Sequence, residues 1–415
     1  IRWALLASQA IGKSQAQNLP DSEDVNSAIN CLKKLGIKII KKKKICEIYG
    51  NGINGFKYKN NIELNAGNSG TCGRLILGLL VASKKKIKLV GDKSLSSRDF
   101  SRVISPLKKF GAKFFPEKKN KLPISILGSN FTRPINYLEN IGSAQCKSTI
   151  MLGALNAPGK TIIKAKKSRN HTELLFKILK IPIKVKKNKV FDHIEVEGKK
   201  NFKSFNYKIP GDISSSAFFI ALTLLSDNSK LIIKNVNVNP TRTGCIKILN
   251  RMGANIKIKN KKKYKGEIVG NIFVKSKKKL KSINCPSSLN SSAIDEFLII
   301  FLVASKAKGI SHFKKISELN KKESPRLKIA SKILSKMGIK TKLRSDSIKI
   351  YGNPNLKLSK KILIKNFMKD HRVFMMSAIA ALSFGGEWKI YNKSCINTSF
   401  PSFIKIAKKL GAKIN

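Results

Sequence analysis

The chain has 415 residues, 42% of them hydrophobic and 26% charged, with 84 Lys and Arg against 23 Asp and Glu and a formal charge of +61. That length and balance exclude a disordered or fibrous chain and leave material for two or three domains with buried cores. The charge invites a nucleic-acid or anionic-membrane reading. Lys is nevertheless spread along the whole chain, in runs such as KKKK at 41–44 and KKK at 261–263, and travels with abundant Ile and Asn. This fits compositional drift on a solvated surface.

In chain order, the opening IRWALLASQA reads as an amphipathic helix, since it lacks the basic region and cleavage site of a signal peptide. LKKLGIKI at 32–39 gives a helix end, a Gly suited to the left-handed C′ position, and a strand. GNSGTCGRLILGLL at 67–80 is a small polar turn feeding an apolar helix. The two signals then recur as LKKFGAKF (107–114), GSAQCKSTIMLGAL (142–155), a degenerate LKIPIKV (179–185), GDISSSAFFIALTLL (211–225), LNRMGANI (249–256), LSKMGIKT (334–341), DHRVFMMSAIAAL (370–382) and AKKLGAKI (407–414). In LKIPIKV, Ile181-Pro182 replaces the Gly, and Pro is expected to stop the helix. FLIIFLVA at 297–304, the longest apolar run, is too short to span a bilayer.

Copies of the first signal start 75, 72, 70, 85 and 73 residues apart, so the chain is expected to hold six small α/β units in two domains, 1–210 and 211–415. Because the first unit begins directly in its helix at Ile1, a preceding segment is expected to be missing. The polar turns are ordinary N-caps if taken singly. Four in repeat register, each with unpaired N–H groups at a helix start, suit a polyanion.

Only eleven of the 84 basic residues are Arg, and seven fall in such clusters: Arg2, Arg74, Arg98, Arg169, Arg242, Arg326 and Arg372. Arg offers a planar fork that grips carboxylate or phosphate, where Lys is a mobile point charge. In a chain drifting toward Lys, Arg should persist where that fork is needed, either on a ligand or, as equally for Arg74 and Arg242, in bracing a loop. Among the scarce carboxylates, Asp295 opens the apolar 297–304 run and Glu323 lies between Lys322 and Arg326. Each can serve as general acid or base, or as an ordinary partner of a helix start. Seven dispersed Cys with no C-x-x-C pair read as reduced thiols of a cytoplasmic protein, and four scattered His give no metal-ligand cluster.

NSGTCGR, GDKSLSSR, SAQCKS, SRNHTE, PGDISSSAFF, RTG, IDE, KKESPR, DHR and TSFPSF occur in this order along nearly the whole chain. Together they make the chain closely resemble the 5-enolpyruvylshikimate-3-phosphate synthase family. The resemblance implies an α/β fold of two domains, each of three βαβαββ units, the inside-out α/β barrel of the enolpyruvyl transferases. It implies transfer of the enolpyruvyl group of phosphoenolpyruvate to the 5-hydroxyl of shikimate 3-phosphate, on the route to chorismate, without cofactor or metal. The partners implied are these two small molecules, with no nucleic acid or membrane, in a cytoplasmic monomer.

Matched by position, the resemblance places shikimate 3-phosphate against Arg2, Ser143, Gln145, Lys147, Ser168, Arg169, Asp295 and Lys322. Phosphoenolpyruvate falls to Gly70, Arg98, Arg326 and Arg372. Asp295 is implied as the base for the attacking hydroxyl, and Glu323 as the acid that protonates the methylene carbon and takes that proton back. At Gly70 a larger residue confers glyphosate tolerance in this family, so inhibition competitive with phosphoenolpyruvate is expected. The resemblance implies that the family's P-G-D-K-S-x-S turn would precede Ile1, and that the first strand of the C-terminal domain is missing with it. Asp99 stands where Pro is usual, Pro325 where Asp is common, and Thr398 where some members carry a substrate-binding Lys. Asp99 is expected to put an acid beside Arg98. Two other readings remain at this stage. One is the related transferase acting on UDP-N-acetylglucosamine, disfavoured because Cys72 lies within the GTCGR turn. The other is an RNA-processing or nucleic-acid-binding protein, for which a nucleotide-binding Gly loop and a basic stripe interleaved with aromatics are lacking.

Overall fold

The computed structural model describes residues 1–42, 45–277 and 279–414, so Lys43 and Lys44 of the 41–44 run lie outside the described residues. The chain divides into two compact units, Ile1–Ile209 and Pro210–Asn415.

The first unit contains three four-stranded sheets of one pattern, a parallel pair followed by two antiparallel strands. In one, Ile62–Asn65 runs parallel to Ile87–Val90, which pairs antiparallel with Lys121–Leu127, and Lys113–Lys118 lies outermost. In the next, Asn136–Glu139, Lys160–Lys166, Phe191–Glu197 and Ile183–Lys187 repeat the arrangement. The remaining sheet has Ile11–Gln17, Ile45–Asn51 and Lys38–Lys41, and its outer parallel strand is Tyr207–Lys208, from the far end of the same unit. Parallel neighbours need a crossover, and helices Gly70–Leu79 and Ala144–Ala154 supply it in two sheets.

The lysine excess has a local explanation in these strands. In Lys160–Lys166, KTIIKAK, Thr161, Ile163 and Ala165 are buried while every Lys faces outward, the period-2 pattern of a half-buried strand. The crossover helices, by contrast, are buried almost all round. They also approach closely: a Cβ on Gly78 would stand 2.3 Å from the Thr149 carbonyl oxygen.

The second unit repeats the plan with less sheet. Lys230–Asn237, Glu267–Lys275 and Asn255–Tyr264 form one sheet, and Gly309–Phe313, Ile348–Gly352 and Thr341–Leu343 another. Single parallel bridges, Gly211 with Val236 and Asn284 with His312, take the place of the outer strand. Among the described residues the third sheet is the parallel pair Lys361–Ile364 and Glu387–Ile390, followed by helix Phe403–Lys409, so this unit reads βαβα. Helices Ile213–Leu225, Phe297–Ser305 and His371–Phe384 pack on one another at its centre. Every residue of Phe297–Ser305 is buried, and Phe297, Phe301 and Phe313 cluster with ring centroids 5.1–6.0 Å apart. Burial of each such ring is worth about 1.5–3 kcal/mol. No single helix among the described residues is long and apolar enough to cross a membrane.

The recurring Gly ends its helix in the left-handed conformation. At Gly36 (φ 81°), the Ile37 N–H reaches back to the Leu32 carbonyl at 3.1 Å, a Schellman closure. The degenerate copy corrects the sequence reading: it is Lys180 that takes the left-handed position (φ 57°), with Ile181 N–H donating to the Phe176 carbonyl at 3.0 Å. Pro182 follows a helix that has already closed.

Candidate active site

In the first unit, the turns before helices Gly70–Leu79 and Ala144–Ala154 are built alike. Ser69 Oγ accepts from Cys72 N at 3.2 Å, and Ser143 Oγ accepts from Cys146 N at 3.2 Å. The Ser143 turn is held from behind by Glu139, whose carboxylate accepts the N–H groups of Ile141, Gly142 and Ser143 at 2.9–3.2 Å. Burial raises the Glu139 pKa above its usual value against the pull of those three donors.

Arg74 ties the two turns together. Its Nη1 donates to Gln145 Oε1 at 3.0 Å, Gln145 Nε2 donates to Thr71 Oγ1 at 3.1 Å, and the guanidinium lies 5.0 Å from the Phe100 ring centroid. Gly70 stands against both guanidiniums: a Cβ there would meet Arg74 Nη1 at 2.8 Å and Arg98 Nη1 at 3.1 Å. Arg98 in turn donates from Nη2 to Asn68 Oδ1 at 2.5 Å and to Ser94 Oγ at 3.1 Å. Arg74 and Gln145 thus bridge the two turns, and Arg98 lies against the Gly70 turn. Arg2 donates from Nε to Thr172 Oγ1 at 3.1 Å. Ser168 and Arg169 lead into helix His171–Ile178, and the buried Ser168 hydroxyl has no hydrogen-bond partner among the described residues.

Two expectations need correction here. Lys147 has no exposed surface; its Nζ is paired with Glu173 Oε1 at 2.5 Å, so it supports the turn from within. Asp99 does not turn toward Arg98. Its two carboxylate oxygens accept from Ser101 N at 2.8 Å and Ser101 Oγ at 2.5 Å. Burial alone would raise the Asp99 pKa, but the Ser101 hydrogen bonds and then the Arg102 and Arg74 charges hold it below its ordinary value.

The second unit brings Asp295, Lys322, Glu323, Arg326 and Arg372 together. Lys322 Nζ lies 3.2 Å from Asp295 Oδ1, Arg326 Nη1 4.0 Å from the same oxygen, and Arg372 Nη1 donates to the Asp295 carbonyl at 2.9 Å. Arg326 Nη2 also donates to Glu323. Arg326 is only 1% exposed, because Asp370 anchors it. Asp370 is the N-cap of His371–Phe384 and also accepts from Ser324 Oγ at 2.8 Å and Arg372 N at 3.0 Å. Pro325 caps helix Arg326–Lys336 with no side-chain bond, and Thr398 is buried at the end of the 3₁₀ turn Lys393–Thr398.

A second anchor lies nearby in the chain order of this unit. Arg242 donates to Ser214, Ser214 donates to Glu296, and Asp212 Oδ1 lies 3.2 Å from Arg242 Nη2. Burial works to raise the Asp212 pKa, yet Arg242 and Arg372 hold it below its usual value. Sequence reasoning missed Asp370, Ser324, Glu296, Glu139 and Thr172. Asp370 stood in the DHR motif and was passed over for its neighbour Arg372; scarcity of carboxylates was the signal that could have found it.

Comparisons with known proteins agree on one family. The model of the family described as EPSP synthase (3-phosphoshikimate 1-carboxyvinyltransferase) matches residues 1–406. A 3-phosphoshikimate 1-carboxyvinyltransferase from Petrotoga mobilis is 38% identical over 416 residues, covering 99% of this chain and 94% of its own. One from Vesicomyosocius okutanii subsp. Calyptogena okutanii is 39% identical over 415 residues, covering 100% and 93%. Among solved structures, EPSP synthase from Acinetobacter baumannii matches at TM-score 0.85 and 31% identity, over 98% of this chain and 92% of that one. The enolpyruvyl transferase NikO from Streptomyces tendae matches at TM-score 0.77 and 14% identity, over 100% and 92%, a likeness of fold.

Proposed function

The chain belongs to the EPSP synthase family and has the α/β fold of the enolpyruvyl transferases, and from that premise we propose how it joins phosphoenolpyruvate to the 5-hydroxyl of shikimate 3-phosphate and releases phosphate. In the first unit, shikimate 3-phosphate is assigned to Arg2, Ser143, Gln145, Ser168 and Arg169, and phosphoenolpyruvate to Gly70 and Arg98. In the second, Asp295 and Lys322 are assigned to shikimate 3-phosphate, Arg326 and Arg372 to phosphoenolpyruvate.

The observation that carries this reading is the second unit's cluster, where Arg326 lies within 4.0 Å of both Asp295 and Glu323 and Lys322 pairs with Asp295. Two carboxylates interleaved with cations can move two protons beside bound anions. Asp295 takes the proton of the attacking hydroxyl as its oxygen bonds to C2 of phosphoenolpyruvate, while Glu323 delivers a proton to the methylene carbon. The tetrahedral adduct then loses phosphate by cleavage of its C–O bond, and Glu323 takes a methyl proton back to restore the enol ether. The preorganised guanidiniums stabilise the phosphate as charge develops on it.

The test is phosphate release from phosphoenolpyruvate with shikimate 3-phosphate, run beside UDP-N-acetylglucosamine as acceptor. Turnover with the first and not the second supports the reading. Turnover confined to the nucleotide sugar, or steeply salt-dependent binding to random duplex with no turnover at all, replaces it.

A further inference from the structure

The Arg2 side chain meets the rest of the first unit at Thr172, a residue to which no role has been assigned. Thr172 is 1% exposed. Its Oγ1 accepts from Arg2 Nε at 3.1 Å and shares a 2.7 Å hydrogen bond with Ser148 Oγ. Ser148, also 1% exposed, lies on helix Ala144–Ala154, the helix whose first turn carries Ser143 and Gln145. The next residue on each side repeats the contact in another chemistry: Lys147 pairs with Glu173 at 2.5 Å. Two consecutive residues of one helix are thus clasped to two consecutive residues of the other, and the clasp ends on Arg2.

We propose that Thr172 is a positioning residue for shikimate 3-phosphate binding: it fixes the Arg2 guanidinium through Nε and holds it in register with the Ser143 turn through Ser148. A hydroxyl has one proton and two lone pairs. Thr172 can therefore accept from Arg2 and still bond Ser148, and its β-branched side chain restricts the rotamer that presents the oxygen. Nε is the one guanidinium nitrogen on the side-chain axis, so an acceptor there sets the plane of the fork, which is what bidentate anion recognition depends on. Valine has the same shape and no hydroxyl, so the substitution isolates the hydrogen bonds from the packing.

The inference rests on the assignment of Arg2 to shikimate 3-phosphate, and the experiment separates the two. Steady-state kinetics and calorimetric titration with shikimate 3-phosphate are measured for the full chain, T172V, T172S and R2K, with thermal unfolding as the control for folding. The expected result is a rise of about tenfold in the KM and Kd for shikimate 3-phosphate in T172V, the scale of one hydrogen bond to a charged group. The phosphoenolpyruvate KM should move by less than about twofold, and T172S should recover most of the loss. Should T172V not fold, S148A, which loosens the hydroxyl and leaves Arg2 its acceptor, is expected to raise the same KM about threefold, and no rise there overturns the proposal. An unchanged KM in T172V while R2K loses affinity overturns the role of Thr172 alone. Unchanged affinity in both removes the Arg2 assignment and the proposal with it. Equal rises in both substrates' KM values show a general structural defect and also overturn it.

Discussion

Arg326 and Asp370 are joined by two hydrogen bonds, Nε to Oδ2 at 2.9 Å and Nη2 to Oδ1 at 3.3 Å, with side chains 2% and 0% exposed. Burial opposes the charge on each, but the partner wins: Arg326 is pushed above its ordinary pKa by Asp370 and Glu323, and Asp370 is held below its own by Arg326. Removing one side of a buried pair strands the other, at a cost of about 3–5 kcal/mol. D370N is therefore expected to lower the urea midpoint at pH 7 and to depress kcat/KM for phosphoenolpyruvate by loosening Arg326. Because the folded pKa of Asp370 is depressed, its contribution is present above the unfolded value of about 3.9 and is lost as pH falls through the folded one. Wild type and D370N should converge in acid. Equal stability at pH 7 would refute the anchor role.

His371, the next residue, gives a second pH dependence in a different window. It is 5% exposed, and burial, followed by the charge of Arg372, lowers its pKa from 6.5 to about 4. A depressed folded pKa means stability that is complete above pH 6.5 and lost as pH falls toward 4, where the unfolded chain binds the proton first. The shift corresponds to roughly 3 kcal/mol at about 1.36 kcal/mol per unit. Urea titrations at pH 7.5 and pH 4.5 should show this loss in wild type and a smaller one in H371Q. Parallel curves for the two proteins would place the acid sensitivity elsewhere.

At Gly70 the constraint is space. A methyl group there would press on Arg74 Nη1 at 2.8 Å and Arg98 Nη1 at 3.1 Å, both ends of flexible side chains. G70A should therefore fold with little loss of stability but displace the guanidiniums by several tenths of an ångström. Misplacement by 1 Å can cost about a hundredfold in rate. A rise of about three- to tenfold in the phosphoenolpyruvate KM is expected, with a larger rise in the glyphosate inhibition constant. In wild type, inhibition should be competitive with phosphoenolpyruvate. Initial-rate kinetics at several glyphosate concentrations decide it, and an unchanged phosphoenolpyruvate KM in G70A would count against the assignment of Arg98.

The parts of the molecule legible in the sequence were those written in local periodicity. Helix ends at Gly36 and Gly338 were readable because an L residue in the left-handed region is disfavoured, so Gly marks the position. The copy at Lys180 was misread for the same reason: tertiary packing imposed the conformation on a residue that does not advertise it. Arg74 and Arg242 could be read as either ligands or braces, and the partners that make the bracing contacts, Gln145 and Asp212, lie 71 and 30 residues away. Lys147 was implied as a contact by its match to the family motif; the buried Glu173 beside it, 26 positions on, makes an internal pair that no local pattern announces. What the sequence withheld is long-range pairing, which no period of 2 or 3.6 encodes.

The helix ends make a graded test of backbone strain. At Gly338 a Cβ would meet nothing within 4 Å, whereas at Gly36 it would stand 2.2 Å from the Lys57 carbonyl oxygen. G338A should cost about 1–2 kcal/mol, the left-handed penalty alone. G36A should cost more, because backbone must move. K180G removes the same penalty at the price of a more flexible unfolded chain, and should be neutral or stabilising by up to about 1 kcal/mol. Urea denaturation of the three variants checks the order, and a G338A as damaging as G36A would show that strain, not collision, governs both sites.

Lys147 and Glu173 pose the sharpest question of stability against function. Their side chains are 0% and 5% exposed, and a buried pair recovers its desolvation cost only through close geometry. E173Q should destabilise by about 3–5 kcal/mol, since it takes the paired carboxylate from a buried ammonium and leaves it only the through-space charge of Glu139. The double variant K147M/E173M removes both charges and keeps the bulk, and such replacements are commonly neutral or stabilising. If the pair served stability alone, the double variant would bind shikimate 3-phosphate like wild type. Because the pair joins the helix behind Ser143 and Gln145 to the one after Ser168 and Arg169, the expectation is a protein of near-normal stability with weakened binding. Denaturation and calorimetry on the same preparations read the two quantities separately, and full affinity in the double variant would leave the pair no part in the site.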